Sequence, residues 1–481
     1  MIVSYSVASI AKVKRNYSMP RRNIYKLGAL CAGYGGIELG LQRIIKAETT
    51  WVSDIEQVPK KILECRFQGS DGLPTPNYGD LTVIQNPAPV DIVTAGFPCQ
   101  PVSVSGKREG INDHRWLIED VCRLAKESKA KWLILENVRG IFTANEGHAL
   151  QRVWDALIKN GFTRFEWGLF RASDTLAPHQ RERWFCLATN TFSEFLDLPN
   201  QIRSEDVALP SQHRYFAESE DWIKANGVLA DSLDVVQWLE RTPNPDLFSE
   251  GNLNLLDKWP TDGSCSGTGL LLDQTHLRLG NNNPQSFKTL PTPTAREYKD
   301  AGPNVNFPRI ASKRGLTGVI MHELCENNAF IGWEEYVLAI EEWGKILGRS
   351  APYPLENKKF GYLSPKFVEW MMGLPESWVT GDDIGLQRSE ALTALGNGVV
   401  PHQAAHAIQT LHGRMLAQFS SLPAQEQKLR RILDLRQNGL SWKQVGKLSG
   451  YKSSSGPQAF MKKQIDKYSE RPDGSFVMTR N

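Results

Sequence analysis

The stretch Ala95-Gly96-Phe97-Pro98-Cys99-Gln100-Pro101-Val102-Ser103 sets a cysteine just after an apolar run and holds it between prolines. A thiol at a strand end, in a loop stiffened by proline, has the partial exposure a nucleophilic thiolate needs. A free cysteine is ordinarily a small buried hydrophobe, and the chain has seven. Cys99 therefore needs partners before it can be read as a nucleophile. One is Glu136, where the apolar run Trp132–Leu135 gives way to Glu136-Asn137-Val138; a carboxyl there completes a nucleophile-and-acid pair. Gln180-Arg181-Glu182-Arg183 precedes a further apolar run, and arginines at alternate strand positions share a face.

A second group of residues suits a nucleoside. Gly33-Tyr34-Gly35-Gly36 follows one apolar run and opens an amphipathic one. Glycines there let the backbone approach a ligand closely, with a helix N-terminus supplying donors. Asp54, followed by Ile55, ends the next apolar run, where a carboxylate can hold ribose hydroxyls. Gly79-Asp80-Leu81 adds a second acid. Each feature alone is as well explained by a turn or a surface charge. Together they point to an adenosine-containing cofactor and leave open a dinucleotide or S-adenosylmethionine.

These groups need a scaffold. Between residues 26 and 191 short apolar runs (27–32, 50–53, 90–95, 132–136, 184–188) alternate with amphipathic ones (37–45, 57–67, 116–126, 148–160). That alternation predicts an α/β domain on a doubly wound, mostly parallel sheet. Ligands of such sheets sit at the carboxyl ends of the strands, where the motifs fall. Residues 192–360 change character, with weak periodicity and the rigid segment Leu290-Pro291-Thr292-Pro293-Thr294, and read as a second, irregular domain. Residues 361–418 read as a return to the first domain, and 1–25 as a loose arm. Residues 421–470 break into three short helical patterns (425–437, 442–448, 455–465) resembling a helix-turn-helix unit.

With 41% hydrophobic and 23% charged residues, the composition is that of a soluble globular protein. No apolar run approaches bilayer length, and none follows the basic N-terminal residues as a secretory signal requires. Scattered cysteines without a Cys-x-x-Cys pair argue against a metal site or disulfide framework and fit a reducing cytoplasm. From Ser421 onward there are twelve Lys/Arg against five Asp/Glu, a net of +7 in a chain of net +3. Positive charge concentrated in a tail suits nucleic acid.

In order along the chain, Gly33-x-Gly35-Gly36, Asp54, Gly79-Asp80, Pro98-Cys99-Gln100 with Ser103, Glu136-Asn137-Val138 and Arg181-x-Arg183 form one series. Trp370-Met371-Met372-Gly373-Leu374-Pro375 and Gly396-Asn397-Gly398-Val399-Val400-Pro401 complete it. The chain thereby resembles the DNA cytosine-5 methyltransferases over residues 26–415, with a gap across the irregular middle. It departs from them at Ala29 and Cys31, where the family usually has Asp and Phe, at Asp54 for the more frequent Glu, and at His179 for Gln.

The resemblance implies S-adenosylmethionine as cofactor, held by Cys31, Gly33, Tyr34, Gly35, Gly36, Asp54, Ile55, Asp80, Leu81, Pro98, Asn397 and Val399, with weaker adenine contact at Cys31. It implies that Cys99 attacks carbon 6 of a flipped-out cytosine, with Glu136 offsetting ring charge, Arg181 holding the base oxygen and Arg183 in support. Val102–Arg115 becomes a loop closing over the base. Gln100, Ser103, Lys107, Arg108, Arg296 and Lys299 become DNA contacts, and the middle domain the target reader. Duplex DNA is the implied partner, a cognate restriction endonuclease a candidate one, with monomeric action in a prokaryotic cytoplasm, on the nucleoid. Two alternatives stand beside this reading: a tRNA substrate, and a DNA-binding regulator acting through the tail.

Overall fold

A computed structural model of the 481-residue chain describes residues 24–69, 71–98, 117–142, 144, 148–198, 288–299, 315–322, 324–326, 329–330, 332–356, 362–437, 439–451, 453–464, 468–470 and 476–478. The centre is a six-stranded sheet. Its strands are β1 (Tyr25–Leu30), β2 (Ala47–Ser53), β3 (Ile92–Ala95), β4 (Trp132–Val138), β5 (Arg164–Arg171) and β6 (Glu182–Thr189), in the order β2-β1-β3-β4-β6-β5. The β1–β2, β1–β3 and β3–β4 pairs are parallel, and β6 runs antiparallel to both β4 and β5. The sheet is thus mostly parallel, as the alternating pattern implied, with one reversed strand that the pattern did not reveal.

Strands of this kind are covered on both faces, so they read as continuous apolar runs. Trp132, Leu133, Ile134 and Leu135 of β4 are all fully buried. One face packs on α3 (Ile118–Glu127) and α4 (His148–Lys159), whose Val121, Leu124, Val153 and Leu157 join Leu133 and Leu135. The other face packs on α1 (Gly36–Gln42) and on a long helix, Pro401–Ser421, whose Ile408, Leu411 and Phe419 meet Ile92, Trp132 and Phe185. The remaining helix of this part, α2 (Gln57–Arg66), follows β2.

The helix expected over 37–45 ends at Gln42, where Arg43, Ile44 and Ile45 turn back onto the Gly40 and Leu41 carbonyls. The other expected elements up to residue 191 agree to within two residues, apart from somewhat longer strands at β2, β4 and β6. β5 was not foreseen. Its buried positions alternate and include Arg164 and Glu166, which inverts the usual apolar-inward pattern.

After residue 198 the described elements resume near Lys288. They are α5 (Leu316–His322), β7 (Cys325–Glu326), β8 (Ala329–Phe330), α6 (Val337–Leu347), α7 (Pro365–Met371), α8 (Arg388–Asn397) and α9 (Pro401–Ser421). Leu316, Ile320, Tyr336 and Trp343 share one core with Phe367, Trp370 and Leu395. Phe195, Leu196 and Leu198 pack into the core under the sheet. The described parts of the stretch read as a separate second domain therefore pack with the first domain and its return segment. The tail forms α10 (Ala424–Gln437), α11 (Trp442–Leu448) and α12 (Ser455–Gln464), matching the three expected helices, and then a hairpin of β9 (Tyr468–Glu470) and β10 (Phe476–Met478). Among the described residues no helix is long and apolar enough to cross a membrane.

Candidate active site

The carboxyl ends of β1 to β4 lie along one edge of the sheet, and the start of antiparallel β6 meets the same edge. After β1 the chain enters a tight turn with positive φ at Cys31 (49°), Gly33 (56°) and Gly35 (82°), and α1 begins at Gly36. Asp54, past the end of β2, accepts the Gly33 N–H at 2.9 Å and the Glu56 N–H at 3.0 Å. Its own N–H donates to Asn77 Oδ1 at 3.1 Å, which also accepts the Gly79 N–H at 2.9 Å. Asn77 thus ties the two acid-bearing loops together. It was missed in the sequence, where the only signal was an Asn two residues before a turn glycine.

The turn fits a nucleoside. A side chain at Gly33 or Gly79 would meet nothing within 4 Å, so open space lies over both. Asp54 keeps lone pairs beyond its two N–H donors, and burial raises its pKa. Next to it Ile55 is 64% exposed, an apolar side chain suited to a flat ring. The thiol of Cys31 is pushed up to about 12 by burial and nearby acids, so it stays protonated. Asp80 caps Thr82 through both the N–H and the hydroxyl.

Several residues expected at the cofactor have side chains committed within the fold. The Tyr34 ring is buried, and its hydroxyl donates to the Val399 carbonyl at 2.8 Å. Leu81 packs in the main core. Val399 is buried, with its carbonyl committed to Tyr34, whereas Asn397 at the end of α8 is exposed. Pro98 is half-buried. Two residues the sequence did not single out brace the turn: Trp378 donates its indole N–H to the Tyr34 carbonyl at 2.8 Å and meets Phe67 edge-on.

The register of β3 on β4 sets Ala95 against Leu135, so the residues that follow, Gly96 and Glu136, lie side by side. A Cβ on Gly96 would stand 3.3 Å from Glu136 Oε2. Asn137 donates its side-chain N–H to the Phe97 carbonyl at 3.1 Å, fastening the Phe97-Pro98 loop to the end of β4. Cys99, Gln100, Ser103, Lys107 and Arg108, with the rest of the loop to Trp116, lie outside the described residues; Cys99 is next in sequence to anchored Pro98.

Antiparallel pairing sets Val138 against Arg183, and Arg183 Nε meets Glu136 Oε1 at 2.9 Å. Glu136 is 7% exposed. Burial raises its pKa, and Arg183 and Arg181 oppose the rise without cancelling it. A carboxyl so placed takes up a proton more readily than a free one while remaining beside a cation.

The two arginines are placed differently. Arg181 is 3% exposed, and its guanidinium donates to the carbonyls of Pro293 (3.2 Å), Gly396 (3.0 Å) and Gly398. Burial and the charge of Arg183 bring it down to about 9, still cationic at neutral pH. It thereby clasps two distant segments, the one at Pro293 and the one from Gly396 to Gly398. Its N–H also donates to Thr292 Oγ1 at 3.0 Å, and Gln403 donates to its carbonyl at 2.8 Å. The 292–299 segment is thereby pinned to the site's rim, with Arg296 and Lys299 exposed on it. His179 is fully buried beneath, in contact with the Met371 carbonyl, and burial lowers its pKa to about 3.

The family description for C-5 cytosine-specific DNA methylases matches residues 25–412, the whole span that builds this edge. The chain belongs to that family. Within it, the chain is 28% identical over 318 residues to the type II methyltransferase M.HaeII of Haemophilus aegyptius, covering 62% of this chain and 94% of that protein. It is 32% identical over 189 residues to M1.ScrFI of Lactococcus lactis subsp. cremoris and 31% over 212 residues to M.Eco47II of Escherichia coli. Those two matches take in 38% and 44% of this chain and about half of each relative, 46% and 48%. Among solved structures, the S. pombe Dnmt2 methyltransferase aligns with 80% of this chain and 98% of its own, at 16% identity and a TM-score of 0.42. Family membership gives the methylase-type sheet its cofactor class, S-adenosylmethionine, which the turn, Asp54 and Ile55 are suited to hold.

Proposed function

We propose that the protein methylates carbon 5 of a cytosine flipped out of duplex DNA, through a covalent adduct on Cys99. The buried Glu136–Arg183 pair beside the Phe97-Pro98 loop carries this reading. Cys99, as thiolate, bonds to carbon 6 of the ring, and charge collects on nitrogen 3 and the base oxygen. Glu136, whose pKa burial raises, shares a proton with nitrogen 3, and Arg183 meets the charge that develops beside it. Arg181 holds the 292–299 segment instead of touching the base. When bound at the turn, S-adenosylmethionine supplies an electrophilic methyl group to carbon 5. A base then takes the carbon 5 proton, the bond to carbon 6 breaks, and Cys99 leaves as thiolate.

Extruding the base costs roughly a few kcal/mol, which the 102–115 loop and Ser103 would offset. Exposed Arg296 and Lys299 on the pinned segment suit phosphate or base contacts. A type II methyltransferase role, with a cognate endonuclease, monomeric action and a cytoplasmic location, goes with this reading. The test is incubation with methyl-labelled cofactor, duplex DNA and tRNA. Label is expected in duplex DNA as 5-methylcytosine; label confined to tRNA would overturn the substrate assignment.

A further inference from the structure

The tail is not needed for the chemistry above, yet it is folded and docked. α10 carries Asp434, 1% exposed, which accepts the N–H groups of Phe192 and Ser193 and the Ser193 hydroxyl. Leu429 and Leu433 of the same helix pack on Phe192. Ile432, Leu435 and Val445 make a separate small core with Trp442, Tyr451 and Phe460. The tail is thus a trihelical unit with its own core, anchored to the loop after β6.

Three glycines set its internal geometry. A side chain on Gly446 of α11 would meet the Ser453 carbonyl at 2.8 Å, so α11 packs closely on the approach to α12. Gly450 turns the chain with φ 74°. Gly456 lies under the Tyr451 ring, where a Cβ would stand 2.4 Å away. This is a helix-turn-helix arrangement, and the β9–β10 hairpin follows it in sequence.

The outward faces have the chemistry of a nucleic-acid reader. Among the described side chains of this stretch Lys443 and Lys447 are exposed, and the sequence from 438 to 464 holds no acid. Glu426 is engaged by Arg430 and Asp434 is buried, so neither described acid of α10 offsets them. α11 exposes Lys443, Gln444 and Lys447, as suits a helix lying across a phosphate backbone. α12 exposes Ser455, Gln458 and Ala459 while burying Pro457. Small and amide side chains without charge suit entry into a major groove, where Gln pairs with adenine and Ala packs on a thymine methyl.

Position separates this surface from the candidate active site. β6 runs away from that edge, and its last residue, Thr189, pairs with Trp132 at the start of β4. Trp132 is four residues from Glu136, about 13 Å along the strand, and Phe192 lies three residues past Thr189. The tail is therefore anchored at the opposite rim.

We propose that the α11–α12 unit is a second duplex-DNA site, which binds a segment other than the one undergoing methylation. DNA binding by the tail is independent of catalysis, while the count of two sites rests on the proposed function supplying the other. It is tested on the full chain with a labelled 24-base-pair dA·dT duplex, which contains no cytosine, by anisotropy over a range of salt. The double variant Lys443→Glu/Lys447→Glu alters two exposed side chains, and Lys443→Gln/Lys447→Gln provides a milder pair. Binding should weaken on the order of tenfold in the glutamate pair, with the salt slope shallower by about two. Sedimentation should count two duplexes per wild-type chain and one per variant chain. Methyl transfer to saturating cytosine-containing duplex should be unchanged. Unaltered affinity, slope and stoichiometry in both variants would overturn the second site. Absence of methyl transfer by the wild type would overturn the catalytic reading and leave DNA binding by the tail standing.

Discussion

At Glu136 two opposing effects meet. Burial favours the neutral acid, and Arg183 at 2.9 Å favours the carboxylate; burial prevails. If the proton on Glu136 is what the ring shares, activity must fall as pH rises through its raised pKa. Removing the cation in Arg183→Ala raises that pKa further, so the alkaline limb of the kcat/KM profile should move to higher pH, and Arg183→Lys should return part of the shift. Glu136→Gln cannot give up a proton and should lower kcat on the order of 100-fold. An unshifted limb in Arg183→Ala would remove Glu136 from the proton-sharing role. His179 gives a stability counterpart. Its pKa is about 3 in the fold against an ordinary 6.5, so the unfolded chain takes up a proton that the folded chain refuses. Stability is lost as pH falls from 6.5 toward 3, and at pH 5 the loss is about 2 kcal/mol. Denaturant titrations at pH 7 and pH 5 should show that much less acid sensitivity in His179→Gln.

At the scale of elements, the site is where strand ends and distant loops converge. The order Cys99, Glu136, Arg181, Arg183 was legible because each residue sits at the end of a readable apolar run. The structural role of Arg181 was not, since its partners are main-chain carbonyls of Pro293, Gly396 and Gly398, more than 100 residues away. β5 escaped for a related reason. Its alternation is intact, but the face turned inward carries Arg164, which donates to the Thr191 carbonyl, and Glu166, which accepts from Gln418 of α9, so tertiary partners decide which face is buried. The clasp around Arg181 is testable. A Cβ at Gly396 would stand 2.1 Å from the Ala295 nitrogen, and backbone must move to admit it. Gly396→Ala should cost about 1–3 kcal/mol of stability and release the 292–299 segment, seen as weaker DNA binding. Tyr34→Phe, which loses only the bond to Val399, should cost about 1 kcal/mol. A Gly396→Ala chain with full stability and DNA affinity would remove the clasp from the account.

At the scale of the molecule, the sheet presents one edge with a glycine turn, a buried acid and its arginine, while the basic tail is anchored at the other rim. The sheet and the tail helices were readable from periodicity, because local pattern and burial agree there. The packing of Leu316 to Leu355 against α7 and α8 was not, because that core is shared between segments with weak patterns of their own. The family match over residues 25–412 covers the catalytic edge and ends before the tail helices. What remains to be decided is whether Cys99 makes the adduct that the edge is built to support. Bisulfite sequencing of DNA from cells expressing the wild-type chain, set beside cells expressing Cys99→Ala, decides it most directly. The account predicts protected cytosines within one recurring sequence for the wild type and none for the variant. Protection that persists in Cys99→Ala, or no protected cytosine with the wild type, would contradict it.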